Sequence, residues 1–79
     1  MVRKDHLVKV RLFASLRVGR FTEKEVRWFK GMTVRRVLEE LAIEGREVGT
    51  LFVNSRHVEA EYELAEGDTL SIFPLIGGG

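Results

Sequence analysis

Few side chains in this sequence are suited to chemistry, and its most unusual feature is a stretch of main chain. Gly77, Gly78 and Gly79 follow directly on the apolar run "SIFPLI". Glycine has no Cβ and admits backbone conformations closed to other residues, so a Gly-Gly end is the thinnest peptide that can enter a narrow channel. The reactive group of such an end is the α-carboxylate of Gly79, ionised at neutral pH with a reference pKa of about 3.3–3.7. A carboxylate is a poor electrophile until a partner converts it to an adenylate. The acyl-adenylate is then open to attack by a sulfur donor or by an amine. The bland alternative is a frayed or added end with no role.

Other chemistries fail for want of residues. There is no cysteine, hence no disulfide, no thiolate metal site and no thiol nucleophile. His6 and His57 are far apart in sequence without ligand-like spacing, so no metal site is expected. No GxSxG, phosphate-binding glycine loop or HExxH occurs. The acids of "LEELAIEGRE" follow helical spacing and read as a solvated face rather than a catalytic pair, and Ser15 and Ser55 have no recognisable base. The pattern is that of a protein acted upon rather than an enzyme, with no bound cofactor.

With 79 residues, the chain is expected to form one domain. A domain of this size buries only about 60–65% of its unfolded surface, so the core is modest. Hydrophobic residues make up 44%, and the formal net charge is +1. Those values argue against disorder and against nucleic-acid binding by bulk charge. No apolar run approaches the roughly 18 residues of a membrane span, and no signal-peptide core opens the sequence. The expectation is a soluble, cytoplasmic protein with neither a nucleic-acid nor a membrane partner. Glutamine is absent, Asn54 is the single asparagine and charged residues reach 32%, a balance that leans towards thermophiles.

The positioning elements follow from periodicity. "LVKVRLF" alternates, placing Val8, Val10 and Leu12 on one face and Lys9 and Arg11 on the other. "ASLRVGRF" reads as a loop. "TEKEVRWF" resumes alternation with Val26 and Trp28 inward and Glu25, Arg27 and Phe29 outward, so the two strands form a hairpin with a long connection. In "KGMTVRRVLEELAIEG", Val34, Val37, Leu38 and Leu41 make one helical stripe, Thr33 is the N-cap and Gly45 the stop. Arg35 and Arg36 sit in the first turn against the helix dipole, a cost that pairs with Glu39 and Glu40 would offset. "TLFV" and "HVEA" flank "NSR" as a hairpin, and "AEGDT" is a turn. In "TLSIFP", Leu70 and Ile72 face inward and Ser71 and Phe73 outward, and regular pairing should fail at Pro74, which has no N–H. The result is an α+β roll, a sheet with one helix across one face.

Two outward aromatics, Phe73 and Phe52, would lie on the face away from the helix and could seed a protein interface. Residues Pro74 to Gly79 reach at most about 20 Å when extended, at roughly 3.3–3.6 Å each. Ordering that tail costs roughly 1–2 kcal/mol per residue, so a partner must supply hydrogen bonds or a docking surface.

The order of elements, the helix opening "MTVRRVLEEL", the approach "LAEGDTLSIFP" and the Gly-Gly end resemble the β-grasp, ubiquitin-like sulfur-carrier proteins, MoaD-like and ThiS-like. "LFASLR" and "FPLIGGG" are most similar to the branch of the molybdopterin synthase small subunit, which commonly carries Phe-Ala-x-x-Arg and Phe-Pro-Pro-x-x-Gly-Gly. Leu75 stands where that branch often has a second proline, Val18 where a glutamate often follows the arginine, and Gly77 adds a third glycine. The resemblance implies a mixed four- to five-stranded β-grasp domain over residues 1–74 and a flexible tail over 75–79. It implies that a ubiquitin-activating-like enzyme adenylates Gly79 with ATP, and that a sulfurtransferase or persulfide donor turns the adenylate into a thiocarboxylate. The sulfur would then pass to an acceptor such as a molybdopterin synthase large subunit, in molybdenum or tungsten pterin cofactor synthesis. Gly77, Gly78 and Gly79 form the tail, and Phe52, Phe73, Pro74, Leu75 and Ile76 the partner-binding set. The alternatives are sulfur carriage for thiamine or tRNA thiolation, and a protein modifier joined through Gly79 to lysines.

Overall fold

The computed structural model describes residues 6–76. The first alternating run is strand β1, Leu7–Leu12, with Val8, Val10 and Leu12 fully buried. It pairs antiparallel with β2, Glu23–Arg27, Val8 lying opposite Val26. The connection expected as plain loop contains a 3-10 turn, Ala14–Arg17. Its Leu16 is buried in the core, and the Arg17 Nε donates to the Leu12 carbonyl at 2.8 Å. Burial of one leucine and a side-chain bond back to the strand fold the loop onto the end of the sheet where β1 finishes.

Helix α1, Val34–Glu40, begins as read: Thr33 Oγ1 accepts from the Arg36 N–H at 3.2 Å, and Val34, Val37 and Leu38 are buried. It stops short of Gly45. Ala42 takes the left-handed conformation, φ 57°, its N–H bonding to Glu39 O at 3.1 Å, while the Ile43 N–H bonds to Leu38 O at 2.9 Å. This is the double bond of a Schellman end, with Ile43 and Leu38 both buried in the core cluster. Burial of Ile43 offsets the roughly 1–2 kcal/mol that a left-handed residue with a Cβ costs. Gly45 instead opens a second 3-10 turn, Gly45–Glu47. Of the expected helix ion pairs, Arg36–Glu40 forms at 3.1 Å. Arg35 instead bonds Glu61 across the surface, and that bond holds the Glu61 carboxyl below its ordinary range. The pair is exposed, so water screens most of its effect.

Strand β3, Val48–Val53, turns into β4, Arg56–His57, through Asn54 and Ser55 alone. Both turn residues have positive φ, 51° and 71°, as a twist-matched two-residue hairpin requires. Arg56, read from sequence as part of the turn, therefore belongs to the strand. β4 is shorter than "HVEA" because the chain is diverted to the helix. The Ala60 and Tyr62 carbonyls accept from the Arg35 and Val34 N–H groups at 2.8 and 3.0 Å, filling free donors of the first helical turn.

The turn before β5, Thr69–Pro74, is built on buried Asp68. Its carboxylate accepts from Asn54 Nδ2 and from the Ala65 N–H, both at 2.7 Å, and Asn54 Oδ1 accepts from the Thr69 N–H at 3.0 Å. The strand order is β2-β1-β5-β3-β4, parallel between β1 and β5 and antiparallel elsewhere. The last strand thus lies at the centre of a mixed five-stranded sheet with one helix, the expected β-grasp. Val8, Val10, Leu12, Leu51, Leu70 and Ile72 meet the helix stripe, with Met32, Ile43 and Leu64 closing the edges. Trp28 packs against this core and its Nε1–H donates to the Leu64 carbonyl at 2.8 Å. Among the described residues, no helix is long and apolar enough to cross a membrane.

Candidate functional site

The outward parity of β1, β3 and β5 builds the site. Phe73 leaves β5 on the face away from the helix, and Phe13, the residue after β1, meets it in a stack with centroids 4.1 Å apart and planes 10° from parallel. Phe52 of β3 meets Phe73 edge to face at 5.8 Å, and His57 of β4 meets Phe52 the same way at 6.0 Å. Four adjacent strands therefore contribute to one aromatic plate. Each ring contact adds about 0.5–1.5 kcal/mol beyond the area it buries. The three phenylalanines are half-buried, so the plate keeps one surface for a partner.

Phe13 was not among the residues that sequence reasoning placed in this set. The signal was present: with Leu12 inward, parity sends the next residue outward, onto the face of Phe52 and Phe73. Only the placement of β5 beside β1 makes it a stacking partner of Phe73. The guanidinium carbons of Arg11 and Arg17 lie 5.3 and 5.6 Å from the Phe13 ring centroid, within cation–π range. The plate thus has a cationic rim at one end.

Pro74, Leu75 and Ile76 continue from it. Pro74 is buried, while Leu75 and Ile76 are 65% and 84% exposed. Pairing does not fail at Pro74 as the sequence suggested. Val48 lies opposite Pro74 and Thr50 opposite Phe73, so Gly49 is the extra residue of a β-bulge, and the Leu75 N–H bonds to the Glu47 carbonyl at 2.9 Å. The bulge carries the pairing past a residue that has no N–H to give. Phe52, Phe73, Pro74, Leu75 and Ile76 are thereby brought together, lining a shallow groove with Gly49 and Thr50. Gly77, Gly78 and Gly79 lie outside the described residues.

His6 and His57 do not meet in a metal site. His6 Nδ1 lies 3.2 Å from Glu66 Oε2, and among the described residues no group of three or more His, Cys, Asp or Glu is placed to hold a metal. The arrangement offers an aromatic plate for docking and a chain leaving at its edge.

A family model for the ThiS family matches residues 10–79. Among solved structures, a Pyrococcus furiosus protein assigned as molybdopterin converting factor subunit 1 is 29% identical with a TM-score of 0.69, over 89% of this chain and 98% of that one. SAMP1 from Haloferax volcanii is 26% identical with a TM-score of 0.71, over 92% of this chain and 99% of that one. A chain in the complex of subunits 1 and 2 of molybdopterin-converting factor from Helicobacter pylori shares the fold at 22% identity and a TM-score of 0.63, over 92% of this chain and 99% of that one.

Proposed function

The chain belongs to the ThiS family, and from that premise we propose that it is a sulfur carrier whose working group is the carboxylate of Gly79. The observation that carries this reading is the exit of the chain beside the aromatic plate, with Leu75 and Ile76 exposed. A partner seated on the plate would have the terminus within reach.

The chemistry runs in three steps. The Gly79 carboxylate attacks the α-phosphorus of ATP in the activating enzyme, forming the acyl-adenylate and releasing pyrophosphate. The outer sulfur of a donor persulfide attacks the acyl carbon, and AMP leaves with the electron pair. A thiol then cleaves the resulting acyl disulfide, giving the thiocarboxylate and a protein disulfide. The carrier supplies no acid or base to these steps; it supplies the docking surface and the end. Its acceptor is a large subunit of molybdopterin synthase type, a reading supported by the names of the Pyrococcus and Helicobacter relatives. The same adenylate attacked by a lysine amine gives an isopeptide bond, and the likeness to SAMP1, a small archaeal modifier protein, favours keeping this second reading. Sulfur carriage for thiamine or tRNA thiolation is the alternative to that acceptor.

Intact-mass analysis after incubation with the cell's activating enzyme, ATP and a persulfide donor tests the proposal. Exchange of one oxygen for sulfur at Gly79 is the expected result, while lysine adducts bearing a Gly-Gly remnant point to the modifier. Absence of any adenylate ends both readings.

Docking has its own test. Phe13→Ala removes the ring stacked on Phe73 and faced by Arg11 and Arg17. Aromatic residues at the centre of an interface cost about 2 kcal/mol or more on truncation, so affinity for the activating enzyme should fall roughly 30-fold. Unchanged affinity in a calorimetric titration means that the plate is not the docking surface.

A further inference from the structure

Two main-chain contacts define where the chain leaves the sheet. The first is the bond from the Leu75 N–H to the Glu47 carbonyl. Glu47 is itself braced: its N–H bonds to Glu44 O at 2.9 Å, its carboxylate accepts from the Glu44 N–H at 2.8 Å, and Arg20 lies 3.6 Å from that carboxylate. The second contact is the passage of Gly49 beneath the Pro74 peptide. A Cβ built on Gly49 would overlap the Pro74 carbonyl oxygen and lie 2.8 Å from its carbon and 2.9 Å from Leu75 Cα. Every atom in the way is backbone, so no side chain can swing aside. Gly49 is not among the residues with positive φ. Close approach, not conformational freedom, is what demands glycine there.

The geometry points to Gly49 as a tail-positioning residue: together with the Glu47 carbonyl it clamps the chain at Pro74–Leu75 and so sets the point and direction from which the terminus sets out. This inference rests on the carrier reading of Gly79. The clamp engages only main chain, which leaves the exposed side chains of Leu75 and Ile76 to the partner. It also fixes the point from which the reach of the last residues is counted. Counted from Leu75, four residues remain, and they span at most about 13–14 Å. An activating enzyme that fits this chain must hold its nucleotide within that distance of the clamp once the plate is docked.

Docking and delivery are then separable. Gly49→Ala pushes the Pro74–Leu75 segment away from β3 and leaves Phe13, Phe52 and Phe73 in place. The terminus reaches the nucleotide less often in a reactive pose, while the stacked rings of Phe13, Phe52 and Phe73 keep most of the docking surface. Displacement of a reacting group by about 1 Å can cost on the order of 100-fold.

The test is ATP–pyrophosphate exchange by the activating enzyme of the same cell, with carrier concentration varied. For Gly49→Ala, kcat is expected to fall about 10- to 100-fold while KM for the carrier stays within about threefold, the signature of an interaction lost only in the reactive state. A raised KM with unchanged kcat overturns the inference, because Gly49 would then act through docking. Equal kinetics for the variant and the natural chain overturn it too. Inactivity of the natural chain itself is a different outcome: it removes the carrier reading and the inference with it. If Gly49→Ala does not fold, a chemically synthesised chain with an ester in place of the Leu75 amide removes the N–H donor and leaves every side chain unchanged. That chain should lose kcat in the same direction, and full activity from it overturns the clamp.

Discussion

Deletion of Gly78 and Gly79 is expected to abolish adenylation and sulfur loading while leaving the fold intact. The core residues all lie at or before Ile72. Past the sheet, the last described backbone bond is that of the Leu75 N–H, and the side chains of Leu75 and Ile76 are largely in water. Glycine carries no side chain, so removing two of them takes no apolar side chain from the core. Changes of this kind usually stay within about 0.5 kcal/mol. At roughly 4–8 °C per kcal/mol for a domain of this size, the melting temperature should shift by no more than about 4 °C. Differential scanning calorimetry beside ATP–pyrophosphate exchange reads both quantities on one sample. A shortened chain that melts far lower would make the tail structural, and one that is still adenylated would place the working group elsewhere.

The opposite pattern is expected of Ile72→Ala, which should remove a large share of the fold's stability without touching the terminus. Ile72 is fully buried in the central strand, opposite Leu12 of β1 and Leu51 of β3. Its loss removes about 2–5 kcal/mol through transfer and cavity effects. A chain of 79 residues, at roughly 0.05–0.15 kcal/mol per residue, holds only about 4–12 kcal/mol in total. The variant therefore loses a large fraction of its total stability. Its urea midpoint should fall steeply with the slope unchanged, since the surface exposed on unfolding is nearly the same. A loss below about 1 kcal/mol would contradict the packing of β5 between β1 and β3.

Much of this molecule was legible because its signals are local. Alternation in "LVKVRLF" and "TLSIFP" assigned the faces of β1 and β5 correctly, since side-chain direction along a strand depends only on parity. The stripe of Val34, Val37 and Leu38 and the cap at Thr33 are set by helical geometry over a few residues. The helix end was misread for a reason that is also physical. Gly45 is the better left-handed residue, but Ile43 is the one the core buries, and its burial puts the left-handed turn at Ala42. Likewise "HVEA" has strand-like residues, yet Ala60 and Tyr62 are taken up by the free donors of the helix N-terminus.

By itself, then, the sequence determined the elements, the inward and outward faces, and the singular Gly-Gly end that led to a sulfur-carrier reading. Tertiary structure alone decided what those faces meet. Phe13 and Phe73 are 60 positions apart, and they stack because β5 inserts beside β1, a pairing that no local pattern encodes. Gly49 stands in sequence just before the strand-like run "TLFV" and shows no role of its own. Its demand for glycine exists only in the register that carries the Pro74 peptide over it. Strand order and register are settled by burial of β1 and β5 side by side in one core, and so the exit of the tail is a property of the fold rather than of the tail.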